Sequence, residues 1–314
     1  MLTLRQALLI KFFSRIIWAT RYFPGKTRLF RYFTNILPFY AGEITHQTGF
    51  SWVLDSKHAQ DMFIYSCEPF SSKVLLNISS GINTFIDIGA NRGWYSCLLR
   101  SRNPNLEVHA FEPDEKMFKI LDRNLSQFTI KSKSVHRNKV ALGHCSGVAN
   151  LVTYVDGNDG MMTLYPQEIM PIASNQIVEI QTFDSYFSAR SADEFDGSIL
   201  MKIDVEGSEL ETIQGARDFI STCKPIIIME INSLLLAASS TSAKKVLDFM
   251  KNLGYVSFWL DERGRIERCM DHNWPPHQKI LGESGGANYL FLHQDNYEKI
   301  SIKQLIKKYK IQLS

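Results

Sequence analysis

From residue 84 onward, short apolar runs alternate with stretches of helical periodicity, and this alternation limits the possible folds more than any other feature. Residues 84–88 form an apolar run closed by glycines, the pattern of a parallel strand buried on both faces. Residues 93–101 read as the helix that follows. A second strand is expected over 106–111, and a second helix over 114–125, its start marked by Pro113 and Asp114. A third strand is expected over 134–142. The less regular stretch 143–182 offers strands near 149–155 and 177–183. The alternation then resumes with a strand over 199–205, a helix over 208–220 and a strand over 225–231. A helix over 242–253 is ended by Gly254, and strands follow at 255–260 and 288–293. Such a chain builds a doubly wound, open and mostly parallel α/β sheet covered on both faces. A loop alone joins the last two strands, so they are expected to pair antiparallel.

The flanks are different. Residues 1–40 carry seven basic side chains (Arg5, Lys11, Arg15, Arg21, Lys26, Arg28 and Arg31) and no acid. Without them, 28 basic residues face 32 acidic ones, so the rest is slightly acidic and a nucleic-acid partner is not indicated. The basic residues also interrupt every apolar run long enough to cross a membrane, and no cleavage site of a signal peptide follows. On a helical projection Leu2, Leu9, Phe12, Phe13 and Ile16 share one side, opposite Lys11, Ser14 and Arg21. Docking of this helix on its own domain or on a second subunit is the first expectation. Peripheral attachment to an anionic membrane surface is the second. The expected organisation is a basic amphipathic extension over 1–80, a nucleotide-binding domain over 81–296 and a Lys-rich helix or tail over 297–314. The 45% hydrophobic content is enough for a core without staples, and five dispersed cysteines lacking any C-x-x-C pair suit a cytoplasmic protein.

Ligands of such sheets bind at the carboxyl ends of the strands, where the strand order reverses. Asp87-Ile88-Gly89-Ala90-Asn91-Arg92-Gly93 lies at that end of the first strand, with glycines for the turn and Asn91 tolerant of strained geometry. Glu112 ends the second strand, where a carboxylate can accept both ribose hydroxyl hydrogen bonds of an adenosine. The loop lacks the central glycine of the dinucleotide fingerprint, and Asp87 would repel a pyrophosphate. S-adenosylmethionine, a phosphate-free cation, suits an acidic loop better than NAD does.

The run Phe85-Ile86-Asp87-Ile88-Gly89-Ala90-Asn91-Arg92-Gly93-Trp94-Tyr95-Ser96 resembles the first motif of the FkbM-family methyltransferases, as does Ala110-Phe111-Glu112-Pro113 at the second strand. Leu200-Met201-Lys202-Ile203-Asp204-Val205-Glu206-Gly207-Ser208-Glu209 resembles that family's other signature, and residues 225–230 and 288–291 also fit. The resemblance covers about residues 80–293. It implies a class I, Rossmann-like methyltransferase fold using S-adenosylmethionine. Asp87, Gly89, Asn91 and Gly93 would lie at the methionine part of the cofactor and Glu112 at its ribose. By the same resemblance, Val140 and Ala141 lie near the adenine.

Methyl transfer is an in-line displacement that needs alignment and, for an alcohol acceptor, a general base. Asp204 is the first candidate for orienting or deprotonating the acceptor and Glu206 the second, since 202, 204 and 206 share one side of an extended strand. Lys202 either joins them or only pairs with these acids, and Glu206 or Glu209 has helix capping as a plainer use. Asp204, Glu230 and Asn232 offer oxygen ligands for Mg²⁺, although capping is the commoner use of such residues. His109 is expected to be a hydrogen-bonded core residue, while His144 and His272 could reach the site from loops, a lesser expectation. Asn273-Trp274-Pro275-Pro276-His277 reads as a proline-rich loop.

The leading expectation is O-methylation of a sugar, glycan, glycolipid or natural-product hydroxyl, with acceptor contacts from residues 41–80, 156–176 and 261–286. An NAD-dependent oxidoreductase and a non-catalytic S-adenosylmethionine-binding module are the alternatives. An oligomer is compatible with either.

Overall fold

The computed structural model describes residues 3–20, 32, 34–35, 37–65, 67–128, 135–154, 162–166, 171–189, 198–261, 265–269, 286–297, 300–309 and 311. Helix α1 (Leu4–Ala19) is followed by a hairpin of β1 (Gly42–Thr45) and β2 (Ser51–Leu54), then by α2 (Lys57–Tyr65) and α3 (Pro69–Ser79). The expected alternation then runs β3 (Thr84–Ile88), α4 (Trp94–Arg102), β4 (Glu107–Phe111), α5 (Glu115–Ser126) and β5 (Val135–Asn138). The irregular stretch holds β6 (Ala141–Leu142), β7 (Gly147–Tyr154), β8 (Met162–Thr163), β9 (Ile172–Gln181) and α6 (Phe183–Ser188). It leads to β10 (Ile199–Ile203), α7 (Glu209–Gln214), α8 (Arg217–Cys223), β11 (Ile226–Asn232), α9 (Ser233–Ala238) and α10 (Ala243–Asn252). Last come β12 (Tyr255–Asp261), β13 (Arg265–Arg268), β14 (Gly286–His293) and α11 (Ile300–Tyr309).

The main sheet has the order β13-β12-β14-β11-β10-β3-β4-β5, parallel from β11 to β5, with β14 antiparallel to both of its neighbours. The doubly wound sheet is thus present, and its strand order reverses between β3 and β10. Successive residues supply opposite faces. Phe85, Leu200, Ile228 and Leu290 pack into one apolar layer, and Ile86, Met201, Ile227 and Phe291 into the other. The helix starts read from the sequence also hold: Asp114 accepts the Met117 N–H at 2.7 Å and Ser242 that of Lys245 at 3.3 Å.

Several boundaries move for identifiable reasons. The strand expected over 134–142 stops at Asn138, whose carbonyl accepts the Glu112 N–H and whose amide donates to the Ala110 carbonyl. Ala141 and Leu142 belong instead to a second sheet of order β6-β9-β7-β8. The strand expected over 177–183 starts earlier and ends at Gln181, because Thr182 caps α6. The helix expected over 208–220 breaks at Gly215, whose Cα lies so close to the Gly143 carbonyl that a Cβ would sit 1.9 Å from the oxygen. Strand β13 was not anticipated, and residues 273–277 lie outside the described residues.

Residues 3–79 share the core of the sheet domain. Trp52 meets Trp94 edge-on with ring centroids 5.1 Å apart, and Phe50 meets it at 5.6 Å. Arg92, fully buried, makes a bidentate pair with Asp55 (2.8 and 3.0 Å). Helix α1 turns inward a face that matches its expected apolar side only in part, since Phe13 and Ile16 pack against the core. Ile10, Ser14 and Ile17 are buried, with the Ser14 hydroxyl donating to the Phe63 carbonyl at 3.1 Å, while Leu9 and Phe12 are exposed. Ser14 is drawn in because its hydroxyl satisfies a carbonyl of α2 that would otherwise lie buried. No described helix is long and apolar enough to cross a membrane.

Candidate active site

A cleft opens at the carboxyl ends of β3, β4 and β10, walled by Gly89, Asn91, Glu112, Val140, Ala141, Asp204 and Glu206 among others. Seven of the ten residues expected at the site therefore meet there. The other three lie just beneath. Asp87 is buried and accepts the Ser96 hydroxyl at 2.6 Å, Gly93 carries the turn into α4, and Lys202 lies under Asp204.

Gly89 and Gly93 are required by packing as much as by any ligand. Gly89 has φ +75°, and a Cβ there would stand 1.8 Å from the carbonyl oxygen of Asp204. Gly93 has φ +82°, and its Cβ would stand 2.6 Å from a Leu121 methyl. Asn91 is also left-handed (φ 51°), its side-chain oxygen accepting from the Arg92 N–H at 2.8 Å. Each oxygen of Glu112 accepts one backbone N–H at 2.8 Å, from Asn91 and from Asp114. This fixes the carboxylate and leaves each oxygen capacity for one more donor. Burial pushes Glu112 up to about 7, against the pull of those two amides, and Asp87 up to about 6. The cleft is narrow, about 60 Å³, against the several hundred usual for ligand pockets.

The other end of the cleft is a buried polar cluster that only the folded chain assembles. Lys202, fully buried, donates to Asp204 at 3.1 Å and sits 5.6 Å from the centre of the Tyr95 ring. Asp204 also shares a hydrogen bond with Glu230. The Tyr95 hydroxyl and the Asn288 amide both donate to Glu68 Oε2, at 2.8 and 2.7 Å. Burial opposes the charge of Lys202, but Asp204, Glu68 and Glu230 together outweigh it and hold the ammonium above its ordinary range. Burial raises Asp204. Asp204 itself, then burial, raises Glu230 well above the carboxylate range, so this pair retains a proton. Glu209, raised by burial to about 7, accepts the Gly207 N–H through one oxygen, and its other oxygen has no partner among the described residues.

The strand ends at Ile203, so Glu206 does not continue the side shared by 202 and 204. It occupies a left-handed turn (φ 49°) held by the Thr163 hydroxyl on the Glu206 carbonyl at 2.8 Å. Burial, then Asp204, raises its carboxyl, so it still feels the cluster from the cleft wall. Asn232 caps α9, accepting the Leu234 N–H at 3.1 Å, the plainer of the two uses expected for it. His109 bonds to the Tyr186 hydroxyl at 3.0 Å in the core, stacked on His136. His144 stands exposed beside Glu211, and His272 lies outside the described residues.

Glu68, Tyr95 and Asn288 were missed as site residues. Tyr95 stood in the quoted motif, Asn288 in a strand and Glu68 just before Pro69. Tyr95 and the run beginning at Asn288 carried the family resemblance without a role attached, and Glu68, an acid before a helix-starting proline, reads as a cap.

The model of the methyltransferase FkbM domain matches residues 87–257, more than half of the chain. The chain belongs to the FkbM methyltransferase family. Among related proteins of this kind, Methyltransferase sdnD of Sordaria araneosa is 28% identical over 158 residues, 42% of this chain and 60% of that protein. Methyltransferase 1 of Beauveria bassiana is 22% identical over 151 residues, 42% of this chain and 58% of that protein. The chain thus matches about three fifths of the length of these curated relatives. A solved FkbM methyltransferase from Methylobacillus flagellatus is similar over 75% of this chain and 53% of its own, at 16% identity and a TM-score of 0.39. An O-methyltransferase from Bacillus cereus, solved with S-adenosylhomocysteine, is similar over 71% and 79%, at 11% identity and a TM-score of 0.35. The strand order of the FkbM chain, with antiparallel β14 inserted between β11 and β12, is the class I methyltransferase sheet.

Proposed function

We propose that this FkbM chain transfers a methyl group from S-adenosylmethionine to a hydroxyl of a sugar, glycan or natural-product acceptor. The observation that carries this reading is one cleft lined by a fixed carboxylate, Glu112, and by Asp204, which is paired behind the wall with Lys202 and Glu230.

The residues present fit the cofactor. Glu112 has capacity for two ribose donors, and the Ser208 hydroxyl, lining the cleft, has no partner among the described residues. Glu68 and the one negative charge left on the Asp204–Glu230 pair outnumber the single buried cation Lys202, so the site favours an added positive charge and resists a pyrophosphate. Together with family membership, this sets NAD aside. When bound, S-adenosylmethionine supplies an electrophilic methyl group. The Asp204–Glu230 pair has room for one more proton and receives the one an alcohol must lose, while Lys202 limits how far its basicity rises. Tyr95 and Asn288 hold Glu68 in place, so the cluster is oriented before an acceptor arrives. The polar ring suits a hydroxylated acceptor better than an apolar one.

The test is transfer of a ¹³C-labelled methyl group to a pool of hydroxylated and amine-bearing acceptors, with the product read by NMR. Methyl ethers are the expected product. Methylamines alone would overturn the hydroxyl assignment.

A further inference from the structure

At the opposite, amino-terminal edge of the sheet lies an open cavity of about 500 Å³, bounded by Trp18 of α1, Lys73 and Asn77 of α3, Arg102 at the end of α4, and Lys308 and Tyr309 of α11. Three cations line it, and no acid does. None of the three is paired with a carboxylate among the described residues. Lys73 is tied by the Trp18 carbonyl at 2.8 Å and lies 5.3 Å from the centre of the Trp18 ring, while Lys308 donates to the Asn77 side chain at 2.9 Å. Burial lowers Lys73 and the nearby Lys308 lowers it further, so the two ammoniums repel each other across a space that an anion would relieve.

The helix that contributes Trp18 is unusual in its own right. Along α1, Leu4 (77% exposed), Leu8 (57%) and Phe12 (57%) stand in solvent at successive turns, with exposed Arg5 and Arg15 among them. The surrounding residues 1–40 hold seven cations and no acid, whereas the rest of the chain is net acidic. Apolar side chains interleaved with arginines, beside a cavity of unpaired cations, match a bilayer surface that offers both acyl chains and phosphates. We propose that α1 and the Lys73–Arg102–Lys308 cavity form a docking surface for an anionic membrane, with a lipid phosphate in the cavity and Leu4, Leu8 and Phe12 among the acyl chains. Helix α3 begins beside Glu68 of the active site and runs away from it along the cavity wall, its far end at Ser79 about 16 Å from its start. A docked molecule therefore keeps its cleft on the strand edge away from the cavity.

The experiment is co-sedimentation of the full chain with vesicles of phosphatidylglycerol and phosphatidylcholine in equal parts, and with phosphatidylcholine alone. Binding to the anionic vesicles only, lost in high salt, is expected. The triple variant Lys73→Gln/Arg102→Gln/Lys308→Gln should bind roughly 100-fold more weakly, and Leu8→Ser/Phe12→Ser about tenfold more weakly or worse. Thermal unfolding of each variant checks that it folds. If the triple variant does not, Lys308→Glu alone, on an exposed helix, should weaken binding about tenfold or more. Equal vesicle binding by wild type and variants overturns the proposal. So does stabilisation by inorganic phosphate with no vesicle binding, which would mark a free-phosphate site. A concentration-dependent dimer that disappears in Leu8→Ser/Phe12→Ser, with no vesicle binding, would assign the apolar face to a second copy and overturn it too.

Discussion

The Cα of Gly89 faces the carbonyl of Asp204 so closely that a single methyl group would stand 1.8 Å from the oxygen. The Asp204 N–H in turn donates to the Ile88 carbonyl at 2.9 Å. The loop at the cofactor end and the residue that begins the polar cluster are thus locked together across the switch between β3 and β10. Gly89→Ala should destabilise the protein by about 3 kcal/mol or more, measured by urea unfolding, since both the backbone conformation and a backbone contact oppose the new Cβ. A loss under about 1 kcal/mol would show that the two strand ends are not fixed to each other.

Glu112 gives a pH signature. Its folded value of about 7 exceeds the ordinary 4.5, so the folded protein binds the proton more tightly than the unfolded chain. Its stabilising contribution is present below about 4.5 and is lost as pH rises through about 7. Glu209, also near 7, acts in the same sense. Without ligand, stability should fall between pH 5 and pH 8, and Glu112→Gln should make the fall shallower. Affinity for S-adenosylhomocysteine should run the other way, rising through about pH 7 as Glu112 ionises, and Glu112→Gln should weaken it roughly 10–100-fold. Calorimetry at several pH values reads both the slope and the loss.

The meeting of the Gly89 loop with Glu112 in one cleft was legible in the sequence because its parts are local. Gly89, Asn91 and Glu112 sit at the ends of two consecutive strands whose apolar runs announce them, and Val140 and Ala141 follow the next strand. The polar cluster was half legible. Lys202, Asp204 and Glu206 share one short segment, but Glu68 and Asn288 are 220 positions apart and meet only because the start of α3 lies against β14, a strand of the main sheet. The inward face of α1 was legible only in part, at Phe13 and Ile16, for a related reason. The sequence ranks residues by hydrophobicity, and Ser14 is buried to satisfy one carbonyl of α2.

Asp204→Asn and Glu230→Gln each remove one half of the proton-sharing pair. Either should lower kcat about 10²–10⁴-fold, with cofactor affinity changed much less. Lys202→Met removes the cation that restrains the pair, so the basic pair should titrate at higher pH. The acidic limb of the pH–rate profile should shift upward in that variant, a result that simple loss of folded protein would not produce.

Arg92 is fully buried, and its partner Asp55 comes from the segment before α2. Asp55→Ala strands the guanidinium and should cost about 3–5 kcal/mol. A double-mutant cycle with Arg92→Met should recover part of that loss. Additivity of the two would show that the pair does not join residues 3–79 to the sheet domain.

The central claim is that the cleft between Glu112 and Asp204 takes a sulfonium cofactor. Thermal and denaturant unfolding with S-adenosylmethionine, S-adenosylhomocysteine and NAD tests it most directly. Either of the first two, at about 100 times its dissociation constant, should add roughly 2.7 kcal/mol of stability, lost in Glu112→Ala, while NAD adds none. Stabilisation by NAD alone would contradict the account.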